Sequence, residues 1–210
     1  MDRFLALMRH GQSEWNRRNL FTGWSDPGLS EKGIRQARRA GRALKSQNCF
    51  FDIAFTSRLA RAERTLSLVL EELRQSDIEI RRDPALNERD YGELTGLDKN
   101  EARARWGAEQ VRLWRRSFDV APPGGESLEN TAARVLPYFR TVILPHLAGE
   151  KGRVLIVAHG NSLRALIMDL EQLSAGDVVK RELATGIPIL YHLDSDGAVV
   201  EKQELVCRPD

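Results

Sequence analysis

The sequence predicts an α/β fold: three layers, with a mostly parallel sheet flanked by helices and a small cap inserted near the middle. Three observations carry this. Short apolar runs ("FLALM", "FDIAFTS", "RVLIVA") alternate with longer stretches whose apolar residues recur at helical spacing, the pattern of strands joined by covering helices. Two of those runs end in the same dipeptide, "LMRHG" and "IVAHG", and in such sheets sites form just beyond the carboxyl ends of the strands. The region 84–126 breaks the alternation, being rich in charge, Gly and Trp with weak apolar periodicity; this is the expected cap within a single domain spanning 1–210.

The elements follow in order. Phe4–Met8 is a buried strand, apolar throughout and ended by Gly11. A polar loop, "NLFTGWSDPGLS", leads to Ser30, which can cap a helix carrying Glu31 in its first turn and Ile34, Ala37, Gly41 and Leu44 on one face. Residues 51–57 form a second strand. Leu59 to Leu73 form an amphipathic helix through Ala62, Leu66, Val69 and Leu70, and "IEIRR" (78–82) alternates as a strand does. "APPGGES" closes the insertion. A long helix runs from Ser127 and Leu128 to about Leu147 and bends at Pro137, which lacks the N–H that an interior helical residue donates. "RVLIVAHGNSLRALI" is strand, turn and helix. "IPILYHLD" and "AVVEKQEL" are two last strands turning at Asp196–Gly197.

Composition narrows the function classes. The chain has 210 residues, 41% hydrophobic and 30% charged, and 32 Lys+Arg against 30 Asp+Glu leave a net charge of +2. That balance gives no footprint of a nucleic-acid binder, although a basic pocket fits inside it. No run reaches the roughly 18 apolar residues of a membrane span. Cys49 and Cys207 have no metal-ligand spacing and are expected as a reduced pair. The expectation is a cytoplasmic protein without nucleic-acid or membrane partners. Four histidines without acidic ligands at metal spacing give no metal site.

His10 is the leading chemical candidate. Alone it reads as a core histidine, but Arg9 precedes it, and Arg61 lies early in the helix after the second strand. Guanidinium forks match phosphate oxygens, and neutral imidazole is a competent nucleophile toward phosphorus. His159, at the second His–Gly tip beside a helix N-terminus, suits the same anion. Glu88 in "LNERDYG" is the acid–base candidate among loop carboxylates. Arg115 and Arg116 beside Trp114, with Lys99, form a second cationic cluster suited to an acid bearing both phosphate and carboxylate. His146 and His192 read as ordinary residues of a helix end and a strand.

"RHGQSEWN", "FTGWSDPGLSEKG", "TSRLARAERT", "LNERDYGELTGLDK", "QVRLWRRSFDVAPP", "GESL" and "AHGNSLRAL" occur in that order across most of residues 3–196. Together they resemble the cofactor-dependent phosphoglycerate mutases of the histidine phosphatase superfamily. RHG alone indicates the superfamily; "FTGW", "NERDYG", "WRRSF" and "HGNSLRA" favour the mutases. The resemblance implies interconversion of 3-phosphoglycerate and 2-phosphoglycerate, primed by 2,3-bisphosphoglycerate without a metal, with small phosphorylated three-carbon acids as partners. It implies that His10 is phosphorylated on Nε2 and that Arg9, Arg61 and His159 hold the phosphoryl group, assisted by Asn16 and the Gly160 amide. Glu88 then gives and takes the proton. Thr22, Gly23, Tyr91, Lys99, Arg115, Arg116 and Asn161 contact substrate. The matching segments also bring Gly11, Gln12, Ser13, Glu14, Trp15, Arg89 and Asp90 into the substrate-binding set.

Two departures stand out. The segment between "APP" and "GGES" lacks the insertion of longer members, and the chain stops soon after the last strand. Shorter members vary between monomer and dimer, and a homodimer is the expectation. The alternative activity is a phosphatase that forms the same His10 intermediate and lets water attack it. A non-enzymatic phosphate-binding module is disfavoured because every expected catalytic residue is present.

Overall fold

A computed structural model describes residues 3–148, 152–194 and 197–207. Strand β1 (Arg3–Arg9) leads through the short helix α1 (Glu14–Arg17) to α2 (Glu31–Ser46), β2 (Ile53–Thr56), α3 (Ala60–Leu73) and β3 (Glu79–Arg82). Helices α4 (Lys99–Trp106) and α5 (Ala108–Arg116) follow, then α6 (Leu128–Tyr138), a π-helical stretch Phe139–Ile143 and α7 (Leu144–Ala148). The chain ends with β4 (Arg153–Ala158), α8 (Gly160–Leu170), α9 (Ala175–Val178), β5 (Pro188–Leu193) and β6 (Val199–Glu204). The six strands lie in the order β3-β2-β4-β1-β5-β6. β1 to β4 run parallel, while β5 and β6 are antiparallel to their neighbours.

The sheet is covered on both sides because its central strands are apolar along their interior, Phe4–Met8 and Val154–Ala158. Leu5, Leu7, Val154 and Ile156 point to one face and pack with α6, α7 and α8 residues such as Val135, Leu147 and Leu166. Phe4, Ala6, Met8, Leu155 and Val157 point to the other and meet Leu44, Leu66, Val69 and Leu73 of α2 and α3. The exposed edge strand β6 carries Glu201, Lys202 and Glu204, charges that discourage pairing with another chain.

Ser30 caps α2, its side chain accepting from the Gly33 N–H. Pro137 lies inside α6, which gives way to the π-helical stretch two residues later, and the Thr141 hydroxyl donates to the Pro137 carbonyl at 2.8 Å. Asp196 of the predicted last turn lies outside the described residues; Gly197 has φ +85°.

The region 84–126 is more ordered than its pattern suggests. Asp98 caps α4 by accepting from the Asn100 and Glu101 N–H groups. α5 starts at Gly107, whose φ is +86°. Each helix buries only one or two residues (Ala102; Val111 and Trp114): α4 carries almost no apolar stripe, and that of α5 is only one turn long, too short to stand out in the sequence. These join Phe21 and Leu94 in a third, smaller core.

The loop after β1 lies against the first turn of α2. A Cβ on Gly33 would stand 2.1 Å from the Gln12 carbonyl oxygen, and one on Gly11 would stand 2.3 Å from that of Gly33. Helix propensity alone favours Gly33→Ala by about 1 kcal/mol, but the clash is with backbone that cannot swing away. Gly33→Ala is therefore expected to destabilise by about 1–3 kcal/mol in urea unfolding; a stabilised variant would contradict this packing.

Candidate active site

Strand register brings the two histidines together. β1 pairs with β4 so that Arg9 faces Ala158, and the His10 N–H continues the ladder to the Ala158 carbonyl at 3.0 Å. The next residues, His10 and His159, therefore meet with ring centroids 4.9 Å apart. Both are buried. His10 Nδ1 lies 2.6 Å from the Gly11 carbonyl oxygen, an acceptor only, so Nδ1 carries the proton and Nε2 keeps its lone pair. Burial, aided by His159, Arg61 and Arg9, holds the His10 pKa well below the usual histidine range, against the Gly11 carbonyl. His159 is lowered likewise, by burial first and then by Arg61, Arg9 and Arg134.

Beside the histidines lies a cavity of about 180 Å³, small next to the roughly 300–1,000 Å³ of drug-sized ligand sites. Six cations (Arg9, Arg61, Lys99, Arg115, Arg116, Arg164) and two carboxylates (Glu88, Glu182) line it. Such a balance selects a compact polyanion. Arg61, on the first turn of α3, is buried and clamped by the loop before α2: NH1 donates to the Ser25 carbonyl at 2.9 Å and NH2 to that of Gly23 at 2.8 Å. Burial lowers its pKa to about 10, so it stays charged at neutral pH. Arg9 donates to the Leu183 carbonyl at 2.8 Å. Arg9 Nε, Arg61 Nε, Thr22 Oγ1 and His159 Nδ1 are all buried without a hydrogen-bond partner. Buried polar atoms are costly to leave unpaired, and an anion in the cavity suits this donor set.

Glu88 is buried at the tip of the 84–91 segment. Its Oε1 accepts from the Arg89 N–H (2.8 Å), the Asn161 N–H (3.1 Å) and the Asn161 side chain (2.9 Å). Burial pushes its carboxyl up, but these bonds with Arg9 and Arg61 bring it below the usual carboxylate range. Arg134 of α6 braces this segment, donating to the carbonyls of Ala85, Asn87 and Glu88 and pairing with Glu126 at 2.8 Å. A Cβ on Gly160 would stand 3.7 Å from both Arg9 Nε and Glu88 Oε2, which places this residue on the floor between them.

Of the sequence-predicted residues, Arg9, His10, Asn16, Thr22, Arg61 and Glu88 line the cavity, as do Tyr91, Lys99, Arg115, Arg116, Gly160 and Asn161. The others lie outside this lining. His159 is buried against His10. The Gly11 carbonyl anchors His10, the Gln12 N–H donates to Gln36, and Ser13 forms a reciprocal capping box with Asn16. Glu14 pairs with Arg17 on the surface. Trp15 packs near Gly96, and the Gly23 carbonyl holds Arg61. Buried Arg89 reaches the Tyr91 hydroxyl and the Arg115 carbonyl, and the Asp90 side chain accepts from the Gly92 N–H.

Sequence reasoning missed Leu20, Phe21, Arg164 and Glu182 in the lining, and Ser57 and Arg134 behind it. Arg164 was findable, since it follows Gly160 by four residues on one helix and so shares its face. Ser57 was findable as the residue just past the β2 tip. Its hydroxyl lies 2.7 Å from His159 Nε2 and accepts from the Leu59 N–H at 3.2 Å. Glu182 lies in an irregular stretch with no pattern. Cys49 and Cys207 are both free thiols. Among the described residues, no cluster of three or more His, Cys, Asp or Glu could hold a metal, and no helix is long and apolar enough to cross a membrane.

The neutral histidines tie stability to pH. Below about pH 6.5 the unfolded chain takes up protons that the folded chain refuses, so stability falls as pH is lowered. The slope approaches about 1.4 kcal/mol per pH unit for each histidine. Urea unfolding at pH 7.5, 6.5 and 5.5 is expected to show this decline, and a flat profile would contradict the burial of neutral imidazoles.

The profile of histidine phosphatase superfamily (branch 1) matches residues 5–204. The chain is 61% identical to a phosphoglycerate mutase of Schizosaccharomyces pombe, over 95% of this chain and 94% of that one. It is 59% identical to a 2,3-bisphosphoglycerate-dependent phosphoglycerate mutase of Parvibaculum lavamentivorans, over 99% of both. Among solved structures it is similar to a mycobacterial glucosyl-3-phosphoglycerate phosphatase complexed with VO3, with a TM-score of 0.80 and 26% identity over 97% of this chain and 98% of that one. It is also similar to YhfR of Bacillus stearothermophilus, with a TM-score of 0.80 and 26% identity over 93% of both. With a superfamily match along nearly its whole length and mutase relatives at about 60% identity, the chain belongs to the 2,3-bisphosphoglycerate-dependent phosphoglycerate mutase family of the histidine phosphatase superfamily.

Proposed function

We infer that the protein interconverts 3-phosphoglycerate and 2-phosphoglycerate through a phosphohistidine at His10. The single observation that carries the chemistry is a buried, neutral imidazole with Nε2 free, beside a cavity of six cations and two carboxylates. Bound 2,3-bisphosphoglycerate supplies the phosphoryl group that primes the enzyme, and the unpartnered donors of Arg9, Arg61 and Thr22 suit its anionic oxygens.

With His10 phosphorylated on Nε2, the free hydroxyl of the monophosphate attacks the phosphorus. The P–N bond breaks and its electron pair returns to Nε2. Glu88, ionised in the resting site, takes the hydroxyl proton. Once the other phosphate faces His10, Nε2 attacks it, the P–O bond breaks, and the departing oxygen takes that proton back from Glu88. Arg9, Arg61 and His159 oppose the negative charge on the transferring group throughout. Arg115, Arg116 and Lys99 hold the far end of the acid, and such positioning is worth roughly 7–11 kcal/mol of barrier at best. It also favours an alcohol over water as acceptor. Relatives at about 60% identity are mutases and the phosphatase neighbour is 26% identical, which favours transfer over hydrolysis. This reading takes the enzyme to be cytoplasmic and its partners to be small phosphorylated three-carbon acids, with neither nucleic acid nor membrane among them; homodimer formation is a further reading.

His159 can hold phosphate through Nδ1 only if that nitrogen carries the proton. Ser57 supplies the means: its oxygen accepts from Leu59 and its hydroxyl then donates to Nε2. Ser57→Ala is expected to lose about tenfold in kcat and to shift the His159 ¹⁵N signals toward the other tautomer, while Ser57→Thr retains both. Unchanged nitrogen signals in the alanine variant would refute this role.

An enolase-coupled assay on 3-phosphoglycerate tests the reaction itself. Turnover is expected to depend on a trace of 2,3-bisphosphoglycerate, with little phosphate released, and to disappear in His10→Ala. Phosphate release at a rate comparable to isomerisation would make the protein a phosphatase.

A further inference from the structure

Five of the eight charged groups lining the cavity are cations with roles proposed above, and Glu88 is the base. Arg164 and Glu182 are left over. Glu182 bonds Arg116 NH2 through Oε1 at 2.5 Å, and its Oε2 lies 4.0 Å from Arg164 NH2. Its side chain is 72% exposed and that of Arg164 only 11%, so the carboxylate stands at the mouth with a fixed cation behind it. Both flanking residues are pinned to the site: the Arg181 carbonyl accepts from Arg164 Nε at 2.8 Å, and the Leu183 carbonyl accepts from Arg9 NH1 at 2.8 Å. Arg164 is also tied to Asn161 at 3.1 Å. The backbone of Glu182 is thus anchored between two cations of the cavity, while its carboxylate has open solvent into which to swing.

We propose that Glu182 is a specificity-determining residue, an internal carboxylate that occupies Arg116 until the carboxylate of an incoming acid displaces it. The proposal deepens the reading above and rests on a phosphorylated acid as substrate. Two carboxylates cannot share the same face of one guanidinium, because each needs the same N–H donors. A ligand with phosphate alone has no group that must take this place. A ligand with both anions exchanges one carboxylate for another on Arg116 and gains the preformed Arg164 behind it. Glu182 therefore weakens every acid by the strength of its own pairing. That pairing is exposed, so the expected effect is about two- to fivefold, enough to ease product departure without preventing capture.

Calorimetric titration of 3-phosphoglycerate and of glycerol 3-phosphate, which lacks the carboxylate, into the unprimed wild-type, Glu182→Gln, Arg116→Met and doubly substituted proteins tests this. Glu182→Gln is expected to tighten 3-phosphoglycerate about two- to fivefold, to leave glycerol 3-phosphate unchanged, and to have no effect in the Arg116→Met background. Equal tightening of both ligands would reduce Glu182 to a general field effect and overturn the proposal, as would unchanged or weaker binding of 3-phosphoglycerate. Failure of the wild type to bind 3-phosphoglycerate at all would instead overturn the mutase reading, and this proposal with it.

Discussion

The parallel pairing of β1 with β4 is the constraint on which the site depends. Hydrogen bonds between these two central strands fix Arg9 opposite Ala158, and the next residue on each strand is a histidine followed by glycine. Slipping that register would separate the imidazoles and move an apolar strand's side chains onto the wrong faces of a sheet buried on both sides. The two cores that stabilise the fold are thus the same packing that holds two neutral imidazoles 4.9 Å apart. Structure and chemistry share one register.

Around that pair the protein gathers positive charge and holds it with dipoles more than with counter-ions. Arg61 is clamped by the carbonyls of Gly23 and Ser25, Arg9 by that of Leu183, and Arg164 by that of Arg181. Carbonyls fix each guanidinium at short range without neutralising it, while the carboxylates of Asp26 and Glu182 stand no nearer than 3.9 and 4.0 Å from Arg61 and Arg164, so most of the charge remains available to an anion. The one carboxylate deep in the site, Glu88, spends Oε1 on Arg89 and Asn161 and leaves Oε2 toward the floor at Gly160. A dianion arriving beside it adds negative charge and raises its pKa. Glu88 is thereby suited to take a proton when phosphate is near and to yield it during the following transfer.

Much of this was legible in the sequence because its signals are local. Apolar runs meeting His–Gly gave two strand tips and the start of α8, and helical spacing gave α2 and α3. That the tips are neighbours required the sheet order, which no local pattern encodes. Helices α4 and α5 of the 84–126 region escaped notice because each is short and rests on a small core: α4 has almost no apolar stripe, and α5 only Val111 and Trp114, one turn apart. Residues matched as one motif proved to have unlike duties: Asn16 lines the cavity, whereas Ser13 orients Asn16 and Glu14 sits at the surface. Ser57 sits one residue past a strand tip and was within reach of that reasoning, whereas Arg134 and Glu182 are brought to the site only by tertiary structure.

The central claim is that Nε2 of His10, freed because Nδ1 donates to the Gly11 carbonyl, is the atom that carries the phosphoryl group. ³¹P–¹⁵N correlation spectroscopy of ¹⁵N-histidine enzyme treated with 2,3-bisphosphoglycerate reads that bond directly. The account predicts phosphorus coupled to Nε2 of His10, with Nδ1 still protonated. Phosphorus bonded to Nδ1, to His159 or to a hydroxyl oxygen would contradict it.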